Sequence, residues 1–161
     1  MRRTLAAACL LLVLLGCTAR PMPSGGTPFY YPRREYFHAN GQSVLSPELR
    51  DMSGHEEDVA YVLNMYLLGP LEDGLTLYFP KETQLLSWEQ TPEATVLTLS
   101  DDTGQMEEIQ FTLACAGLAK TTMELWGFNC VCITRGYQSM TLAPQDLVLL
   151  DEQTEPNGGT P

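Results

Sequence analysis

An amphipathic helix with a defined end is the feature that most constrains the fold of this sequence. Five apolar residues recur at intervals of three and four, which places them on one face of a helix: Val59, Val62, Leu63, Tyr66 and Leu67. Leu68-Gly69-Pro70 follows, where glycine can take the left-handed cap conformation and proline cannot continue the helix. Ser53-Gly54-His55-Glu56 has the S-x-x-E form of a capping box, so we expect the helix to start there.

Several other segments have the composition of strands, since β-branched and aromatic residues alternate with polar ones in them. Two short extended pieces are expected before the helix, at residues 29–31 and 44–52. The expected strands after it are residues 75–79 (or an extended lead-in), 83–88, 94–99, 130–134 ending at Gly136, and a late edge strand at 147–150.

A second helix is predicted after Asp101, with Asp102 or Thr103 as its cap. Its core-facing residues step by three or four: Phe111, Cys115, Leu118, Thr122 and Leu125. Helices and strands thus share one expected domain, residues 29–151, between a flexible Pro- and Gly-containing tether at 17–28 and a disordered tail at 152–161.

The acidic residues fall into three short clusters at positions 56–58, 101–102 and 107–108. Each stands where a helix start is expected, and carboxylates complement the positive end of the helix dipole. This structural interpretation is favoured over a calcium site, and the sequence predicts neither a metal nor another cofactor. The formal net charge of −11 disfavours nucleic acid as a partner and would steer a basic protein toward the chain.

The N-terminal segment has the layout of a signal peptide, with Arg2 and Arg3 before an apolar run. That run of about 13 residues is shorter than the roughly 20 that a membrane-spanning helix needs. Leu14-Leu15-Gly16-Cys17 resembles the lipobox of bacterial lipoproteins. The resemblance implies that residues 1–16 are removed and that acyl chains such as palmitate on Cys17 anchor the protein in the bilayer, on the extracytoplasmic face of the cell membrane. An ordinary secretory signal is the alternative.

Three cysteines remain in the expected domain: Cys115, Cys130 and Cys132. An odd number leaves at least one thiol unpaired within the chain. We interpret them as small buried apolar side chains, with a disulfide between Cys115 and one of the other two as the alternative.

The order of these parts is similar to that of the GerMN domain, found in GerM-like proteins of sporulation and spore germination and in other bacterial lipoproteins. The matching segments are residues 66–70, 78–83, 97–100, LAKTTMEL and VCITRG. The resemblance spans roughly residues 29–137 and implies an α+β fold, with two helices packed on one face of a small mixed or antiparallel sheet, like the ring-building domains of secretion machinery. The family has no recognised catalytic residues, and GerM proteins often carry two such domains where this chain has length for one.

The leading hypothesis is therefore a non-enzymatic interaction domain that binds another envelope protein or itself. Aromatic and arginine residues, which are enriched in interface hot spots, cluster after the tether: Tyr30, Tyr31, Arg33, Arg34, Tyr36 and Phe37. These aromatics could equally cover the core. The rival hypotheses are a small envelope hydrolase that uses Cys115 with His38, and a ligand-binding lipoprotein.

Replacing Cys17 by serine tests the predicted anchor. Cys17→Ser should abolish incorporation of a labelled fatty acid into the protein, because serine lacks the sulfur that is acylated. Cys9→Ser is the matched control, since Cys9 lies in the segment expected to be removed, and it should leave incorporation unchanged. Labelling of the Cys17→Ser protein would contradict the prediction.

Overall fold

The computed structural model describes residues 26–35 and 43–151. The elements in chain order are β1 (Thr27–Pro32), β2 (Leu45–Arg50), α1 (Val59–Leu67), β3 (Leu85–Gln90), β4 (Thr95–Leu99), α2 (Glu108–Trp126), β5 (Val131–Arg135), β6 (Gln138–Leu142) and α3 (Pro144–Asp151). The predicted signal peptide, most of the tether, the tail, and Cys17, Tyr36, Phe37 and His38 lie outside the described residues. None of the helices within these ranges combines the length and apolar character needed to cross a bilayer.

The α+β class is confirmed, with two sheets rather than one. Strands β1 and β2 form an antiparallel pair, and the second sheet has the order β3-β4-β5-β6. Its central strands β4 and β5 run parallel while both outer pairs are antiparallel, so this sheet is mixed. A parallel pair needs a long crossover connection, and α2 supplies it.

The apolar stripe predicted for the first helix is confirmed, because all five of its residues are buried in α1. The end at Leu68 is also confirmed, and Gly69 has a positive φ of 89°. The predicted start is wrong: Asp58 is the N-cap and its carboxylate accepts from the N–H of Tyr61 at 3.0 Å. Ser53 is not a cap, since its hydroxyl donates to the neighbouring Asp51 carboxylate.

The second helix also begins later than predicted. Its N-cap is Glu107, and Thr103 and Asp101 instead bind the buried guanidinium of Arg135 on β5. Asp101 lies 2.9 Å from this guanidinium, and Thr103 Oγ1 accepts from it at 2.6 Å. Thr103, a predicted helix cap, and Asp101 therefore bind the last residue of β5 instead of capping α2.

Two further expectations change, and one strand was not predicted. Residues 75–79 do not form a strand: Leu75 makes an isolated bridge with Arg33, which leaves the alternative of an extended lead-in. Residues 147–150 belong to α3 and not to an edge strand. Strand β6 was not predicted; it follows a two-residue turn in which Gly136 has a φ of 57°. Gly136 has a positive φ and Tyr137 does not, which is the pattern of a type II′ hairpin turn.

A buried ion pair fixes the chain where α1 ends. Arg50 Nε on β2 lies 2.6 Å from Glu48 Oε1, and the same guanidinium donates to the carbonyl groups of Met65 and Gly69. The other Glu48 oxygen accepts from the N–H groups of Leu71 and Glu72, both at 2.7 Å. Each charged group is thus surrounded by partners, which is what makes its burial tolerable.

Helix α2 lies unusually close to the backbone of β1. A Cβ atom added to Gly117 would lie 2.6 Å from the carbonyl oxygen of Tyr30 and 2.7 Å from the Tyr66 hydroxyl. One helical turn further on, Thr121 Oγ1 accepts from the N–H of Tyr30 at 2.9 Å. The Tyr66 hydroxyl donates to the Tyr30 carbonyl at 3.0 Å. Only glycine fits at position 117 without displacing these groups.

Gly117→Ala tests this close approach. Alanine in a helix interior normally raises stability by about 1 kcal/mol relative to glycine. Here the added methyl group should lower the free energy of unfolding by about 1–3 kcal/mol, because it overpacks the contact with β1. Urea denaturation measures the difference, and Gln110→Ala, at an exposed position of the same helix, is the control, with an expected change within about 0.5 kcal/mol. An increase in stability for Gly117→Ala would contradict the packing described.

Candidate interaction surface

Strand β3 forms one edge of the four-stranded sheet. Thr91 donates its N–H to the carbonyl of Ala94 at 2.9 Å, which sets the hydrogen-bonded pairs of the β3–β4 ladder. Bonded and non-bonded pairs alternate in an antiparallel ladder, so Glu89 with Val96 and Ser87 with Thr98 are the next bonded pairs. The N–H and C=O groups of Trp88 and Gln90 therefore point away from β4, toward the open edge.

The open part of this edge is limited to its second half. At its start, the N–H of Leu85 donates to Oδ1 of Asn64 on α1 at 3.4 Å, so the helix covers that end. An irregularity in the pairing register lies between Leu85 and Ser87. Within the described part of the chain, the outward groups of Trp88 and Gln90 have no hydrogen-bond partner. They form a short, accessible template for a further strand.

Two large apolar side chains are exposed on the same strand. Leu86 is 64% exposed, and Trp88 is 40% exposed although it is paired with Leu97, which lies in the core. Beside Trp88 is an open cleft of about 510 Å³. Its wall consists of residues 54–60, the segment that enters α1. We refer to β3 from Leu86 to Gln90 together with this cleft as the β3 surface.

The cleft carries negative charge. Three carboxylates line it, on Glu56, Glu57 and Asp58, and no Lys or Arg occurs among the described residues of its wall. Asp58 caps α1, and Glu56 Oε2 accepts from the N–H of Gly54 at 2.9 Å. The interpretation of this cluster as a helix start therefore holds for Asp58, while α1 has no acidic residue in its first turn.

His55 was expected in the first turn of the helix and lies before it instead. Its N–H donates to the carbonyl of Met52 at 2.9 Å, and its ring stacks on Tyr61 with centroids 4.1 Å apart. His55 lines the cleft, so its ring, stacked on Tyr61, places an aromatic surface next to the carboxylates.

The aromatic and arginine residues predicted as partner contacts have different roles where the structure describes them. Tyr31 is 0% exposed and its hydroxyl donates to the carbonyl of Tyr66 at 2.8 Å. It belongs to the core, so its assignment as a contact residue is corrected. Tyr30 is half-buried, with the Lys120 ammonium 4.5 Å from its ring centroid. Arg33 donates to the carbonyl of Ser43 and to Ser46 Oγ, and Arg34 to the carbonyl of Leu75.

The three cysteines are free thiols, so the alternative of a disulfide does not hold in this structure. Cys115 is 0% exposed on α2, as predicted for a small core residue, and burial raises the pKa of its thiol well above the usual range. Cys130 and Cys132 are half-buried. Within residues 26–35 and 43–151, no group of three or more His, Cys, Asp or Glu side chains is arranged to hold a metal ion.

Thiol labelling checks the environment of Cys115. In the native protein a maleimide reagent should react with Cys130 and Cys132 well before Cys115, because a buried neutral thiol is neither accessible nor nucleophilic. In urea the wild type should label at one more position than Cys115→Ala. Rapid native labelling of Cys115, found by peptide mass spectrometry, would reopen the hydrolase hypothesis.

No family model matches the chain, so the GerMN resemblance stays a prediction. No curated protein matches it either. Among solved structures, it is similar to a crystal structure described as a "Putative Lipoprotein from Clostridium perfringens". The two are 20% identical, the similarity covers 74% of this chain and 87% of the other, and the TM-score is 0.46.

Proposed function

We propose that this protein is a lipid-anchored, extracytoplasmic interaction module that binds another envelope protein through the open edge of β3. The observation that supports this most directly is the coincidence, on one strand, of unpaired outward backbone groups and two exposed apolar side chains, Leu86 and Trp88. An added strand gains main-chain hydrogen bonds from such an edge, and alternate side chains supply specificity. The Cys17 lipobox supports the location.

Trp88 is the residue of this surface expected to contribute most to the binding free energy. Burying the exposed part of a large aromatic side chain removes apolar area from water, and tryptophan is among the residues most enriched in interface hot spots. Trp88 also stands beside a concave wall, which would let a partner surround its ring. Leu86, two residues earlier, extends the apolar contact along the strand.

The GerMN resemblance suggests the process that such binding would serve. It points to assembly of a cell-envelope complex, in sporulation or spore germination or in another envelope pathway. The hydrolase hypothesis receives less support, because its proposed nucleophile Cys115 is buried in the core.

Gln90→Pro tests the use of the edge without breaking the sheet. The N–H of Gln90 points outward, so proline there removes a group available to a partner while the β3–β4 hydrogen bonds remain. A photo-crosslinking residue at position 86 in native membranes should give a discrete crosslinked species in the wild type. We expect that species to be lost in Gln90→Pro and retained in Gln90→Ala, which keeps the N–H.

Two controls make this experiment decisive. Thermal unfolding of both variants shows whether each remains folded. A crosslinking residue at position 108, in the first turn of α2, should not give the same species. Unchanged crosslinking from position 86 in a folded Gln90→Pro protein would contradict the proposed binding edge.

A further inference from the structure

We infer that the partner segment bound by the β3 surface is a basic, extended peptide that adds a strand to β3. This inference rests on the proposed function and specifies the chemistry of the partner. Two features of the surface support it: the register of the outward backbone groups, and the sign of the charge on both sides of the strand.

The register determines where the partner's side chains would lie. A strand paired with Trp88 and Gln90 sends alternate side chains to opposite faces of the sheet. Those on the Trp88 side would lie over the cleft with its three carboxylates. Those on the other side would lie beside Glu89, which is exposed and paired with Val96 on the outer face of the sheet.

Among the described residues, these carboxylates have no ion-pair partner. The ion pairs found among the described residues involve other groups, Glu48 with Arg50 and Asp101 with Arg135. Glu57 and Glu89 make no side-chain hydrogen bond in the part of the chain that the structure describes. Both faces of the edge are therefore acidic, and lysine or arginine side chains in an added strand would be attracted on either side.

The same charges oppose two other occupants of the edge. In a symmetric antiparallel dimer, the register that uses both outward residues pairs Trp88 with Gln90 of the second copy and sets Glu89 opposite itself. Like charges directly opposite each other on paired strands are destabilising, and each copy has a net charge of −11. The C-terminal segment EQTEPNGGTP carries two glutamates and no basic residue, so it does not match the surface either.

Two synthetic nine-residue peptides test the inference, one alternating lysine with valine and one alternating glutamate with valine. Both are labelled with a fluorophore and added to the full lipidated protein in neutral detergent micelles, with empty micelles as a blank. Fluorescence anisotropy should show binding of the lysine peptide at least about tenfold tighter than the glutamate peptide, and this preference should weaken with added salt as charges are screened.

Charge-reversed variants locate the effect. Glu57→Lys combined with Glu89→Lys should weaken binding of the lysine peptide about tenfold or more, because two attractive charges become repulsive. Glu57→Lys and Glu89→Lys are also made singly, and Glu107→Lys is the control for one such reversal: Glu107 is a helix N-cap without a side-chain cap hydrogen bond. It follows Met106, whose N–H donates to the Gln138 side chain on β6, at the opposite edge of the sheet. It should change binding less than about twofold.

The outcomes separate this inference from the proposed function. If both peptides bind equally and Gln90→Pro removes both, the edge binds strands but the charge inference is overturned. If the lysine peptide binds equally well to Gln90→Pro, its attraction is not strand addition and the inference is overturned. A dimer in sedimentation analysis that Gln90→Pro dissociates would make a second copy the occupant, which also overturns it. If neither peptide binds but the crosslinked species still forms from position 86, the inference of a basic partner is overturned and the proposed function stands.

Discussion

The contact between α2 and β1 at Gly117 is the constraint that joins the two halves of this fold. Strand β1 has a strand neighbour on one side only, so part of its backbone needs other partners. Thr121 and Tyr66 supply an acceptor and a donor to Tyr30, and they can reach it because position 117 has no side chain. Since α2 also connects the parallel strands β4 and β5, this contact ties the β1–β2 pair to the four-stranded sheet.

The Glu48–Arg50 pair performs a second joining role on the other side of β1. Arg50 donates hydrogen bonds to carbonyl groups at the end of α1, where the last carbonyl groups of a helix have no partner within the helix. Its guanidinium also lies over the Phe29 ring at 4.9 Å, and Glu48 holds the segment that follows the helix. Desolvation offsets much of the attraction within a buried ion pair, whereas removing one partner leaves an uncompensated buried charge and is strongly destabilising. Breaking it would release the strand, the helix end and the following loop together.

The sequence predicted well those features that depend on local periodicity. The α1 stripe and the strands β4 and β5 follow from the spacing of apolar residues, and the end of α1 follows from Gly69-Pro70. The predicted helix starts were wrong because the expected caps have other partners. Ser53 bonds to Asp51 and Thr103 to Arg135, and the spacing of apolar residues does not reveal these contacts. The short apolar run in α3 was ambiguous, since such runs suit a buried strand as well as a helix. Pro144 at its first position was the signal that could have decided it.

The predicted contact residues are not those of the β3 surface, because the prediction relied on aromatic content. Aromatic content favours residues 30–37, but it does not distinguish a core ring such as Tyr31 from an accessible one such as Trp88. Accessibility depends on which strand lies at the edge of the sheet, and this follows from topology: β4 and β5 pair in parallel and leave β3 outside.

Edge strands usually carry features that prevent indiscriminate pairing, and β3 has two of them, an irregular register near Leu86 and the charge of Glu89. These features do not explain the exposure of Leu86 and Trp88, which increases the tendency of an edge to associate. A single sign of charge on both faces reconciles the two observations. It makes pairing with another copy of this acidic chain unfavourable while it leaves the edge open to a strand of opposite charge. The carboxylates that protect the edge from self-association would then also select its partner.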